Sequence, residues 1–174
     1  MGGNMGKTWS RSFRQGNAIY KLNLLATESI RSVEDRFIAL VGLDVRTIRV
    51  LRLIGDNPGT TFAELTVMTG LERSLVSRLI QNLVRGGHVE RRNDDADARR
   101  FGLFVTQAGQ RVRDRADLLS ARALEAVFEP LSPAEVQAFI ATMDKLADWL
   151  DSPDYAQKAT RIFDSIDFGD SGPV

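Results

Sequence analysis

Between Thr61 and Gly109 the chain changes its apolar rhythm twice, and glycines mark the changes. Thr61 stands three residues before Glu64, the spacing of a capping box, and opens a short helix that Gly70 stops. A second helix starts at Arg73 or Ser74 and ends at Gly86-Gly87. His88 to Arg92 and Phe101 to Val105 then read as two strands around a polar hairpin, with Leu103 and Val105 alternating with small or polar neighbours. Thr106 caps the next helix. Helix, tight turn, helix and arginine-tipped hairpin form a unit that can lay its second helix in a DNA major groove and its hairpin in the neighbouring minor groove.

The second helix carries the argument furthest. On a wheel at about 100° per residue, Val76, Leu79, Ile80 and Leu83 form one apolar stripe. Ser74, Arg78, Gln81 and Arg85 lie opposite, with Ser77 and Asn82 on the flanks. A solvated face would show the same pattern, since charged helix faces are common. The preceding helix, the Gly70 turn and the following hairpin favour DNA. Arginine suits guanine, glutamine suits adenine, and serine suits a phosphate or base edge. Arg73, Ser74, Ser77, Arg78 and Gln81 are therefore the candidate contacts. Leu75 breaks the polar surface at one flank, placed either to touch a thymine methyl or to pack inward.

The hairpin region holds Arg91, Arg92, Arg99 and Arg100, interleaved with Asp94, Asp95 and Asp97. A self-neutralising loop is the plain reading. The functional one has Asp97 accept hydrogen bonds that shape the hairpin, while Arg99 enters a minor groove.

Charge supports this only when taken by segment. The net charge of zero averages residues 71–113, with nine Lys/Arg against five Asp/Glu, and residues 114–174, with five against twelve. The basic stretch coincides with the candidate interface, where local charge steers toward DNA.

Other function classes find little material. With no cysteine and one histidine, thiolate and multi-histidine metal sites are excluded. Ser74 and Ser77 have no histidine at credible spacing, so no nucleophile, base and oxyanion set assembles, and neither an enzyme nor a cofactor is implied. His88, beside the first strand, reads as structural. Met68 and Met143 sit at core spacing, and Trp9 and Trp149 read as packing residues near the ends. No apolar run reaches the roughly 18 residues of a membrane span, and no secretory leader is visible, so a cytoplasmic location is expected.

Around this unit the remaining helices follow a three- and four-residue apolar period. Asn17 to Leu40 reads as one long amphipathic helix that Gly42 ends, and Asp44 caps another that stops at Asn57-Pro58-Gly59. Thr106 opens a helix to about Phe128. Ser132-Pro133-Ala134-Glu135, a capping box with proline at the first helical position, opens one to about Leu150. The expected layout is a flexible segment 1–16, a domain 17–150 and an acidic tail 151–174. Within the domain, a DNA-binding lobe spans about 44–106 and dimerisation helices span about 17–41 and 107–150.

In these motifs the sequence resembles the MarR family of winged helix-turn-helix regulators over roughly residues 18–150. The family's wing signature runs Asp, any residue, Arg, five positions, aliphatic-Thr, two positions, Gly. It falls on Asp97, Arg99, Val105, Thr106 and Gly109, and Arg73 to Leu79 fits the recognition-helix segment. Val105 stands where leucine is usual, Leu75 where a small polar residue is frequent, and His88 where an apolar residue is expected. The resemblance implies a mainly α fold with a small β-wing, a winged helix-turn-helix lobe plus a helical dimerisation lobe. It implies a homodimer on double-stranded DNA with half-sites about 10 bp apart. It further implies a repressor released by a small, often aromatic or phenolic, anion between the dimer helices and the DNA-binding lobe. Tyr20, Asn23, Arg46 and Arg49 are candidates for that site, with Arg52 one step beyond. A winged helix serving as an architectural or protein-interaction module, without ligand control, is the alternative.

Overall fold

The computed structural model describes residues 17–93 and 101–166. Helices run over α1 (Ala18–Arg31), α2 (Glu34–Val41), α3 (Val45–Asp56), α4 (Phe62–Thr69) and α5 (Arg73–Arg85). Strands β1 (Val89–Asn93) and β2 (Phe101–Val105) follow, then α6 (Gln107–Phe128), α7 (Pro133–Leu150) and α8 (Pro153–Asp164). The chain divides into one unit ending at Glu125 and a second beginning at Ala126.

The first unit owns the core. Ile48, Leu51 and Ile54 from α3, Leu65 from α4 and Val76 and Leu83 from α5 are fully enclosed, with Val89 and Leu103 from the strands close behind. At about 25 cal/mol per Å² of apolar surface, each such side chain is worth about 1.5–3 kcal/mol. The α3 and α5 stripes that define this core are the ones their periodicity marks.

Local chemistry explains the boundaries. Asp44 accepts the Thr47 amide at 2.9 Å and caps α3. At α4 the capping box is complete: the Glu64 amide donates to Thr61 Oγ1 at 3.3 Å, and the Thr61 amide to Glu64 Oε2 at 2.7 Å. Gly70 then takes φ +61°, a left-handed turn that a Cβ would disfavour, and redirects the chain into α5.

The single helix expected from Asn17 to Leu40 is two. It breaks at Ser32-Val33, where the Ser32 hydroxyl donates to the Ser29 carbonyl at 2.9 Å and the Ser29 hydroxyl to that of Ala26 at 2.9 Å. Side chains that compete for helix carbonyls bend or end a helix, while the apolar period continues across the break. The segment expected as an acidic tail also contains a helix, α8. The Tyr155 amide donates to Ser152 Oγ at 3.2 Å and Pro153 occupies the first turn, the device that opens α7 at Ser132-Pro133.

The wing pairs β1 and β2 antiparallel, with Val89 opposite Val105, Arg91 opposite Leu103 and Asn93 opposite Phe101. His88 lies just outside β1. A third short partner joins: Gly59 N–H donates to the Leu103 carbonyl and Leu103 N–H to the Thr60 carbonyl, both at 2.9 Å. At the foot of the wing, Thr106 N–H donates to the His88 carbonyl at 3.0 Å. The Thr106 hydroxyl donates to the Gly87 carbonyl at 2.6 Å and accepts the Gly109 amide at 3.0 Å. A Cβ on Gly109 would sit 2.1 Å from the His88 carbonyl oxygen.

In the second unit, α7 and α8 contain no buried residue. Phe128 packs edge-on to Phe139 with centroids 5.9 Å apart, and Trp149 packs on Tyr155 at 6.1 Å. Ile140, Met143, Leu146 and Leu150 of α7 stay 39–54% exposed. Met143 is thus not a core residue, and neither is Met68, 40% exposed on a helix whose inward face Leu65 fills. In the α7 cap, Glu135 accepts from Ser132, which lowers the pKa of its carboxyl. The stabilisation this cap supplies is present above the ordinary carboxylate range and is lost as pH falls through the depressed value.

Gly109→Ala should destabilise the fold by about 1–3 kcal/mol, because the added methyl meets backbone rather than a movable side chain; the denaturation midpoint measures it. Arg52 donates to Asp117 at 2.6 Å and to Ser120 at 2.9 Å, tying α3 to α6. Arg52→Ala should cost about 0.5–1.5 kcal/mol in the same assay, and unchanged stability would contradict that role.

Candidate nucleic-acid interface

The residues that could meet DNA are held by α5, whose buried stripe leaves only one face outward. Ser74, Arg78 and Gln81 are exposed, and Ser77 is half-buried beside them. The Ser77 hydroxyl lies 3.4 Å from Gln81 Nε2. Arg78 forms no ion pair with any described residue, so its guanidinium needs an acceptor from elsewhere or water. Arg73 is placed differently, its guanidinium lying 5.1 Å from the centroid of Phe62. That stacking holds Arg73 at the helix start while its charge stays accessible. Arg85 is engaged at the other end, donating to Asn82 Oδ1 at 2.6 Å. Leu75 is half-buried and packs against the core cluster, the inward of its two expected placements.

Asp97 and Arg99 lie outside the described residues. Arg91 and Arg92 belong to β1, and they differ. Arg92 pairs with Glu90 and lies 4.6 Å from the centroid of Phe104, whereas Arg91 pairs with no described residue. His88 packs its imidazole against Gly86, and its Nδ1 is enclosed without a hydrogen-bond partner among the described residues.

The four candidate effector residues separate in space. Arg46 and Arg49, one turn apart on α3, line a crevice of about 780 Å³ with Thr27, Ile30, Arg31 and Glu34 on one side and Leu71, Leu75 and Leu79 on the other. Both arginines are exposed and form no ion pair with a described residue. Tyr20 and Asn23 do not line it. Asn23 accepts a hydrogen bond from Thr27, at 3.2 Å, and so orients a lining residue from one turn away. Arg52 is committed to Asp117 and Ser120 and is absent from the crevice. Sequence reasoning missed Thr27, Arg31 and Glu34, whose contribution depends on how α1 and α2 lie over α3. Among the described residues no cluster of histidine and carboxylates could hold a metal, and no helix is long and apolar enough to cross a membrane.

Comparison with known proteins gives the same lobe. Residues 41–100 match the MarR family model. Over 74 residues the chain is 32% identical to the HTH-type transcriptional regulator KipR of Bacillus subtilis, covering 42% of this chain and 29% of that protein. The chain thus spans less than a third of the length of this curated relative. A MarR-family transcriptional regulator from Silicibacter pomeroyi is 27% identical with a TM-score of 0.63, over 75% of this chain and 88% of that one. The apo form of MarR from E. coli superposes with a TM-score of 0.68 at 17% identity, over 76% and 98% of the two chains, a likeness of fold. Wing, turn and helix order agree with the sequence match: residues 41–100 carry the likeness to the MarR family, and the fold is the winged-helix fold of these solved structures.

Proposed function

We propose that this protein is a sequence-specific DNA-binding transcriptional regulator, acting as a homodimeric repressor on a pseudo-palindromic operator. The observation that carries the reading is the outer face of α5, where Ser74, Arg78 and Gln81 stand exposed above a fully enclosed apolar stripe. A helix seated by that buried stripe, with a guanidinium that pairs with no described residue and polar side chains outward, suits base edges and phosphates. Arg99 of the wing signature is assigned to the minor groove, with Asp97 shaping the hairpin.

Dimerisation is supported by helices that bury nothing on their own. No residue of α1 or α7 is buried, while Ile19 and Leu25 are 68% and 53% exposed and Leu150 is 54% exposed. Stripes of this length call for a second copy. Two-fold symmetry then presents two copies of α5 to half-sites about 10 bp apart.

The crevice beside Arg46 and Arg49 is assigned to a small, possibly aromatic, anion. Arg31, Arg46 and Arg49 outnumber the lining carboxylates Glu34 and Asp44, the latter engaged in the cap of α3, and with Leu71, Leu75 and Leu79 they suit an apolar ring bearing a carboxylate or phenolate. Its wall includes α5 residues Leu75 and Leu79. A ligand preferring one placement of that helix would shift the dimer away from the form that spans both half-sites.

Fluorescence anisotropy with the DNA upstream of the protein's own gene, against random duplex at equal salt, tests the reading. Tight, discriminating binding is expected, with Arg78→Ala and Arg99→Ala each losing about tenfold or more, equivalent to about 1.4 kcal/mol, and keeping parental helicity. Equal affinity for both DNAs would favour an architectural module. Parental binding by both mutants would contradict the assignment of the interface. Sedimentation should give twice the monomer mass, and Leu146→Asp combined with Leu150→Asp should yield monomer.

A further inference from the structure

A crevice between α5 and the wing holds groups that the functional reading leaves unused. Phe62, Ser77, Ile80, Arg91, Phe101 and Leu103 enclose about 300 Å³ there. Arg91 stands opposite Leu103 and Asn93 opposite Phe101, so Arg91, Leu103 and Phe101 share one face of the hairpin. Leu103, nearer the core, is buried, whereas Phe101 is 55% exposed. A large aromatic half in water stands beside a guanidinium that pairs with no described residue, and nothing among the described residues gives the two a folding role.

We propose that this crevice grips the DNA backbone: Arg91 and the Ser77 hydroxyl take one phosphodiester, and Phe101 packs on the adjoining deoxyribose. The proposal rests on the DNA-binding reading above and adds a backbone contact to it. Its basis is the geometry of a duplex. Major and minor grooves are separated by a sugar–phosphate strand, so DNA that seats α5 in one groove and the hairpin in the next must run that strand between them. The crevice is what lies between them. A guanidinium donates to two phosphate oxygens at once, and a serine hydroxyl supplies a further donor. The apolar floor of Phe62, Ile80 and Leu103 keeps water from one side of the ion pair and strengthens it. Arg92 is paired and stacked, whereas Arg91 lines the crevice and pairs with no described residue.

The contact is to phosphate, so it positions the protein without reading sequence. Binding of the full chain to random-sequence duplex, measured from about 50 to 200 mM salt, tests it. Arg91→Ala should weaken binding to random and preferred duplex by the same factor and flatten the slope of log K against log salt by about 0.9, the signature of one phosphate. Arg91→Lys should keep the parental slope while losing part of the affinity, and Phe101→Ala should lose affinity at unchanged slope. Thermal melting of Arg91→Ala should match the parent, because the side chain is exposed and pairs with no described residue. Parental affinity and slope in Arg91→Ala would overturn the proposal, as would a change in base preference. A parent that binds no duplex at any salt would overturn the DNA-binding reading itself, an outcome distinct from the loss of this one contact.

Discussion

The orientation of the wing against α5 depends on a small set of bonds around Thr106. Its amide holds the His88 carbonyl at 3.0 Å, and its hydroxyl bridges the Gly87 carbonyl and the Gly109 amide. The end of α5, the first strand and the start of α6 therefore meet at one residue. Gly109 completes the junction by lacking a Cβ where the His88 carbonyl approaches. The Thr-x-x-Gly of the wing signature is thus a structural requirement, since a hairpin free to swing could not address a groove at a fixed distance from the helix.

From that junction outward, the arginines sort by partner. Arg52 and Arg113 tie α3 to α6 through Asp117 and Asp56, and Arg92 is folded onto Glu90 and Phe104. Arg46, Arg49, Arg78 and Arg91 are left unpaired among the described residues, each beside a crevice or on the outer face of α5. Exposed ion pairs contribute little to stability, so charges without partners cost the fold little and remain free for ligands. A chain of zero net charge can still offer a basic surface where the surface is needed.

Features encoded within one turn of chain were legible from sequence. Capping boxes at Thr61 and Ser132, the Gly70 turn and the α5 stripe depend on residues three or four apart, and the structure places them as expected. Other features escape a local reading. The break at Ser32-Val33 lies beneath an unbroken apolar period, and within the acidic tail Ser152-Pro153 repeats the cap of Ser132-Pro133 and opens α8. Long-range placement was not legible at all. Nothing near Arg52 announces Asp117, sixty-five positions away, as its partner. Nothing near Arg91 announces that it shares a crevice with Ser77, which only the packing of the hairpin against α5 brings about.

The most direct test of the central claim is residue-resolved: backbone amide chemical shifts of the labelled protein recorded while duplex DNA is titrated in. The account predicts the largest perturbations at Ser74, Ser77, Arg78 and Gln81 on α5 and at Arg91 and Phe101 on the wing, with the buried α3 core little changed. Perturbations confined to α7 and α8, with α5 and the wing silent, would contradict it.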